Sequence, residues 1–227
     1  MSGQTYRKPN PEADGSPCPV WRVQLTTGRE VPTPVVDNRL LLVGGGFGSH
    51  DFYALDATRG ERVWHLHTKD DGPTASVVDD GFAVFNTESC TVYVVETRTG
   101  RVAWERRLGD LLLAQPAVGA GRVFMVYPRA GKHWLCAFGL RTGEPLWEAE
   151  LTHDVITAPV FAEERLWLST FDGNVWCVDP TSGAVLWSRD MRATSAPWIW
   201  NGDAYVARRD GDGHRSESTG SDREPRE

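Results

Sequence analysis

Residues 177–187 read CVDPTSGAVLW: an acidic residue opens a turn, Gly183 closes it, and Trp187 follows four residues later. The same arrangement stands at 54–64 (ALDATRGERVW), 94–104 (VVETRTGRVAW) and 137–147 (AFGLRTGEPLW). With Trp21 added, the tryptophans fall at 21, 64, 104, 147 and 187, in steps of 43, 40, 43 and 40 residues. A period of about 40–45 residues belongs to four-stranded propeller blades and overlaps that of HEAT-type helical repeats. The local pattern decides between them.

That pattern is β. After each tryptophan comes a small-residue or proline step (TPV 33–35, ASV 75–77, QPA 115–117, APV 158–160, APW 196–198). A turn and an apolar run follow: NRLLLVGG, DGFAVFN, AGRVFMVY, EERLWLST and NGDAYVA. A second run (DFYALD, TVYVVE, HWLCAF, NVWCVD) then leads into the glycine turn. These runs are short, rich in β-branched and aromatic residues, and bounded by Gly, Asp or Asn, which is how strands read. No long stripe at helical spacing competes with them. Each repeat therefore supplies four strands, A to D, the last carrying the tryptophan.

The expected fold is all-β: a β-propeller of four-stranded antiparallel blades, four complete and one partial. A lone D strand surrounds Trp21, and lone A and B strands occupy 195–207. Two arrangements fit, an incomplete arc or a five-bladed ring whose last blade joins both chain ends. The repeats span 17–207. Residues 1–16 and the charged tail 208–227 are expected to be disordered. The tail contains no Leu, Ile, Val or aromatic residue and cannot bury enough apolar surface to offset its ordering entropy.

Bulk properties narrow the function. A formal net charge of −7 disfavours a nucleic-acid partner, whose footprint is basic. No apolar run approaches the roughly 20 residues of a membrane span. No apolar leader is visible at the N-terminus, so the expected location is cytoplasmic. Cys18, Cys90, Cys136 and Cys177 show no metal-ligand spacing, and Cys136 and Cys177 fall within strand C runs as core residues.

The remaining candidate motifs point to architecture. His65 and His67 share a face of strand D and offer two metal ligands, but the equivalent positions elsewhere are charged surface and no third ligand lies nearby in sequence. GGGFGSH (44–50) has no phosphate-loop lysine and reads as a B–C hairpin loop. DGDGHRSE (210–217) lacks the spacing of a calcium loop. No catalytic, cofactor-binding or metal residue is assigned. Trp198 and Trp200 would form an apolar edge in an incomplete ring, and hence a place for self-association.

The repeated phrase resembles the tryptophan-docking motif of the PQQ-like (quinoprotein, BamB-like) β-propeller repeat family. The first copy matches throughout, at Ala54, Asp56, Gly60 and Trp64. The others carry Val94, Glu96, Gly100 and Trp104; Ala137, Gly139, Gly143 and Trp147; and Cys177, Asp179, Gly183 and Trp187. The resemblance covers about residues 20–207 and implies a structural role for these residues, each tryptophan wedged between blades against a glycine turn. The family holds both PQQ-dependent dehydrogenases and non-enzymatic outer-membrane assembly proteins. The dehydrogenases imply an adjacent cysteine pair, a stacking tryptophan, calcium ligands and an Asp base. No adjacent cysteines occur here. The expected function is thus a non-enzymatic scaffold for an unknown protein partner, without a cofactor. The alternative is a relative of a quinoprotein dehydrogenase using PQQ and calcium.

Overall fold

Alternating apolar residues between glycine-bounded turns can bury one face only by stacking sheet on sheet, and the chain does this five times over. The computed structural model of the protein describes residues 4–8, 18–25, 31–110, 115–210 and 213–219. Every named element among them is a strand. At the N-terminal end, β1 (Gln4–Lys8) and β2 (Cys18–Arg22) form a two-stranded sheet. The first blade is β3 (Val35–Asp37), β4 (Leu40–Gly44), β5 (Asp51–Asp56) and β6 (Arg62–His67). The second is β7 (Val77–Asp79), β8 (Phe82–Asn86), β9 (Thr91–Glu96) and β10 (Val102–Arg107).

The third blade is β11 (Ala117–Gly119), β12 (Arg122–Arg129), β13 (Lys132–Gly139) and β14 (Pro145–Leu151). The fourth is β15 (Val160–Ala162), β16 (Arg165–Ser169), β17 (Asn174–Val178) and β18 (Val185–Asp190). A last, three-stranded sheet holds β19 (Trp198–Trp200), β20 (Asp203–Asp210) and β21 (Gly213–Thr219). All pairings are antiparallel between consecutive strands.

Two local devices repeat. The A–B turns at Asn38–Arg39, Asp80–Gly81, Ala120–Gly121, Glu163–Glu164 and Asn201–Gly202 have positive φ at both positions, the two-residue hairpin geometry whose twist matches the flanking strands. The C–D pairings each skip one residue just before the tryptophan: Val63, Ala103, Leu146 and Leu186. This bulge re-aims the side chain that follows. It also sets the tryptophan directly opposite the first residue of its motif, as in Trp64 opposite Ala54 and Trp147 opposite Ala137.

The core lies between blades. Phe52, Leu42 and Phe85 join blades one and two; Val84, Met125 and Phe138 join two and three; Phe124, Leu135 and Leu168 join three and four. Trp167 and Cys177 meet Ile199 and Ala204 of the last sheet. Trp21, Val23 and Leu25 cover the outer face of blade one.

The two ends of the chain are built differently from the blades. A five-bladed ring requires β2 to complete the last sheet, but β2 pairs with β1, and β21 pairs with β20. The described residues form an arc. The terminal stretches 1–16 and 208–227, expected to be disordered, lie partly outside the described residues. Where they are described, Gln4–Lys8 and Gly213–Thr219 are paired strands, and β20 runs to Asp210. Backbone hydrogen bonds to a neighbouring strand set such pairing, and the sparse apolar content of the sequence does not report them.

Candidate functional site

The four glycine turns share one backbone. Gly60, Gly100, Gly143 and Gly183 donate to the carbonyls of Asp56, Glu96, Gly139 and Asp179 at 2.7–2.9 Å. The carboxylate of Asp56 accepts from Thr58 N (2.9 Å) and Arg59 N (3.0 Å). That of Asp179 accepts from Thr181 N (2.9 Å) and Ser182 N (2.7 Å). The hydroxyl of Thr58 and the Ser182 amide, respectively, lead the interactions that hold these two carboxyls below their ordinary value. In the third repeat Gly139 stands in the acid's place and the same backbone turn forms, so the acid supports the turn without being required for it.

Each turn is the socket for the tryptophan of the preceding repeat. Trp21, Trp64, Trp104 and Trp147 lie over Gly60, Gly100, Gly143 and Gly183; a Cβ on any of these glycines would come within 2.6–2.7 Å of ring atoms. Their Nε1 groups donate to the carbonyls of Ala57, Thr97, Leu140 and Pro180, at 2.9, 2.8, 2.8 and 3.0 Å. Each acceptor sits three residues before its glycine. The glycines adopt φ of +68 to +75°, which a side-chain-bearing residue rarely accepts. Trp187 stands apart. It is 37% exposed and meets Trp167 edge-on at 5.6 Å, with no turn over it among the described residues.

His65 and His67 come together with a group not seen as their partner in the sequence. The register sets Asp51 opposite His67 and Tyr53 opposite His65. His65 Nε2 (2.8 Å) and His67 Nδ1 (3.1 Å) both donate to Asp51 Oδ1, and Tyr53 donates to Oδ2 at 3.0 Å. Burial alone raises the Asp51 carboxyl, but the bonds from His67, His65 and Tyr53 outweigh it and hold the group below 3.8. The imidazoles close onto one oxygen. Among the described residues no group of three or more His, Cys, Asp or Glu is arranged to hold a metal ion. The thiols of Cys90, Cys136 and Cys177 are free and buried; burial pushes Cys90 up to about 11.

The B–C hairpins and the described parts of the D–A links lie on one side of the blades. There Phe47, in the β4–β5 loop, is 52% exposed and Phe171, in the β16–β17 turn, 69%. Beside Phe47 runs an open groove of about 300 Å³, bounded by Val31, Pro73, Ala75 and Gln115. Trp198 and Trp200 are 73% and 65% exposed at the arc's C-terminal end, on the face of β19 opposite Ile199.

The family model described as outer membrane protein assembly factor BamB (PQQ_2) matches residues 13–111 and 91–213. The chain belongs to this BamB-like, PQQ-repeat family. Outer membrane protein assembly factor BamB of Burkholderia pseudomallei is 27% identical over 194 residues, 78% of this chain and 49% of the relative. The 1-butanol dehydrogenase (quinone) of Thauera butanivorans is 28% identical over 118 residues, 42% of this chain and 19% of the relative. The crystal structure of BamB from Moraxella catarrhalis superposes with a TM-score of 0.63 at 20% identity, covering 90% of this chain and 63% of that one. The chain thus spans about half the length of the curated BamB relatives it matches.

Burying a tryptophan removes about 150–250 Å² from water, so Trp104→Ala in its socket is expected to cost about 3–5 kcal/mol. Trp187→Ala is expected to cost about 1 kcal/mol or less. Urea unfolding checks both, and similar losses at the two sites would contradict the sockets. For Asp51, the folded carboxyl titrates below its unfolded value, so its contribution is full above that unfolded value and fades as pH falls through the folded one. The stability gap between the protein and Asp51→Asn should therefore be wider at about pH 5 than in more acid solution, narrowing as the folded carboxyl takes up its proton. A gap independent of pH would refute the assignment.

Proposed function

We propose that the protein is a non-enzymatic β-propeller scaffold that binds another protein through the loop face of its arc. One observation carries this reading: Phe47 and Phe171 are half or more exposed on that face, beside an open groove, while the motif tryptophans Trp64, Trp104 and Trp147 join blades. Rigid scaffolds present binding residues on loops, and exposed aromatics beside a concave surface suit a protein partner. The BamB relatives, named as assembly factors, support it. No cofactor is part of this function.

Affinity capture from extracts of the source cell, using the intact chain and the double variant Phe47→Ser/Phe171→Ser, tests it. The intact chain should retain a partner that the double variant loses while keeping its melting temperature. The quinone dehydrogenase relative supplies the opposing outcome. Saturable binding of PQQ with calcium, accompanied by a rise in melting temperature, would overturn the scaffold reading.

A further inference from the structure

Among the asparagines of the chain, Asn201 alone is followed by glycine. The pair forms the A–B turn of the last sheet, closed by the pairing of Trp200 with Asp203, and both residues have positive φ, +56 and +83°. Both are exposed, and no described atom lies within 4 Å of where a Cβ on Gly202 would stand. The equivalent turns Asp80–Gly81, Ala120–Gly121 and Glu163–Glu164 belong to blades with a sheet packed on either side, and they are exposed too. The exposure therefore belongs to the A–B turn and not to the end of the arc.

One contact marks this turn. The Gly202 N–H donates to Glu163 Oε2 at 2.7 Å, tying the turn to the A–B turn of blade four. The other asparagines are placed differently. Asn38 donates from Nδ2 to Asp37 at 2.9 Å and precedes Arg39. Asn86 is buried and precedes Thr87. Asn174 donates to Asp172 at 2.6 Å and precedes Val175. Asn10 precedes Pro11, which has no N–H to give up. A side chain on the following residue obstructs the approach of its backbone nitrogen to the asparagine Cγ, and glycine offers no such obstacle.

We propose that Asn201 is a site of spontaneous deamidation in the folded protein, and that Glu163 on the neighbouring blade sets its rate. In this reaction the Gly202 nitrogen gives up its proton and bonds to Asn201 Cγ. The Cγ–Nδ2 bond breaks, and Nδ2 leaves with that proton as ammonia. Water then opens the resulting succinimide at either carbonyl, leaving aspartate or isoaspartate. The Glu163 carboxylate opposes the first step, because it holds the proton that must leave and keeps the N–H directed at blade four. The product puts a new negative charge next to Glu163. Isoaspartate also adds a methylene to a turn whose geometry matches the twist of its strands. Both changes loosen the tie between the last sheet and blade four. The proposal does not depend on the scaffold reading.

Incubation of the full chain in mildly alkaline buffer, followed by peptide mapping with mass spectrometry and labelling by isoaspartyl methyltransferase, tests it. Aspartate and isoaspartate should accumulate at Asn201 while Asn38, Asn86 and Asn174 stay intact. Glu163→Ala should convert at least about threefold faster, a modest factor because the bond is exposed. In concentrated urea, where the contact with Glu163 is gone, the intact chain and Glu163→Ala should convert at the same rate. That comparison separates the contact from a general loosening of the variant, which would also expose Asn86. No conversion at Asn201 in the folded chain, equal rates for the two folded proteins, or an acceleration that persists in urea would overturn the proposal.

Discussion

The structure depends on one contact: an indole laid over a glycine turn of the next blade, its N–H held by a carbonyl three residues before that glycine. Stacked sheets bury apolar faces without fixing how one sheet is placed on the next. The wedge adds direction. The hydrogen bond fixes where the ring enters, and the missing Cβ lets ring and backbone approach. The bulge before the tryptophan turns the ring toward its socket, and the small residue opposite it leaves room. Each part of the eleven-residue phrase serves this contact, which is why the phrase recurs with the blade.

The same contact explains the contrast between the ends. Blade one is covered by Trp21, Val23 and Leu25, so the N-terminal end of the arc is closed by a wedge of the usual kind. At the other end the last sheet packs onto blade four through Ile199 and Ala204, and among the described residues no turn lies over Trp187. Trp198 and Trp200 face outward beyond it. Exposed indoles are costly in water unless something covers them. The arc thus carries two surfaces of different character, a loop face with Phe47 and Phe171 and an end face with Trp187.

The period, the four strands per repeat and the family were legible in the sequence, because the tryptophans, glycines and turn residues recur at fixed spacing. The carbonyl acceptors of Ala57, Thr97, Leu140 and Pro180 were not, since any residue type supplies a carbonyl; their constant offset from the glycine was the available signal. Asp51 was missed as the partner of His65 and His67 because the pairing runs across strands, and only the register brings them together. The pairing of β1 and β21 was hidden for a related reason. Their ladders are made by backbone groups, and their side chains carry little apolar signal. Quaternary context and ligand are not written in a motif whose every residue is occupied by packing.

Hydrogen exchange of the indole N–H groups, read by NMR with each tryptophan assigned by substitution, tests the central contact most directly. The account predicts slow exchange at Trp64, Trp104 and Trp147, whose protons are held between blades, and fast exchange at Trp187. Equal protection at all four, or fast exchange at the three docked rings, would contradict it.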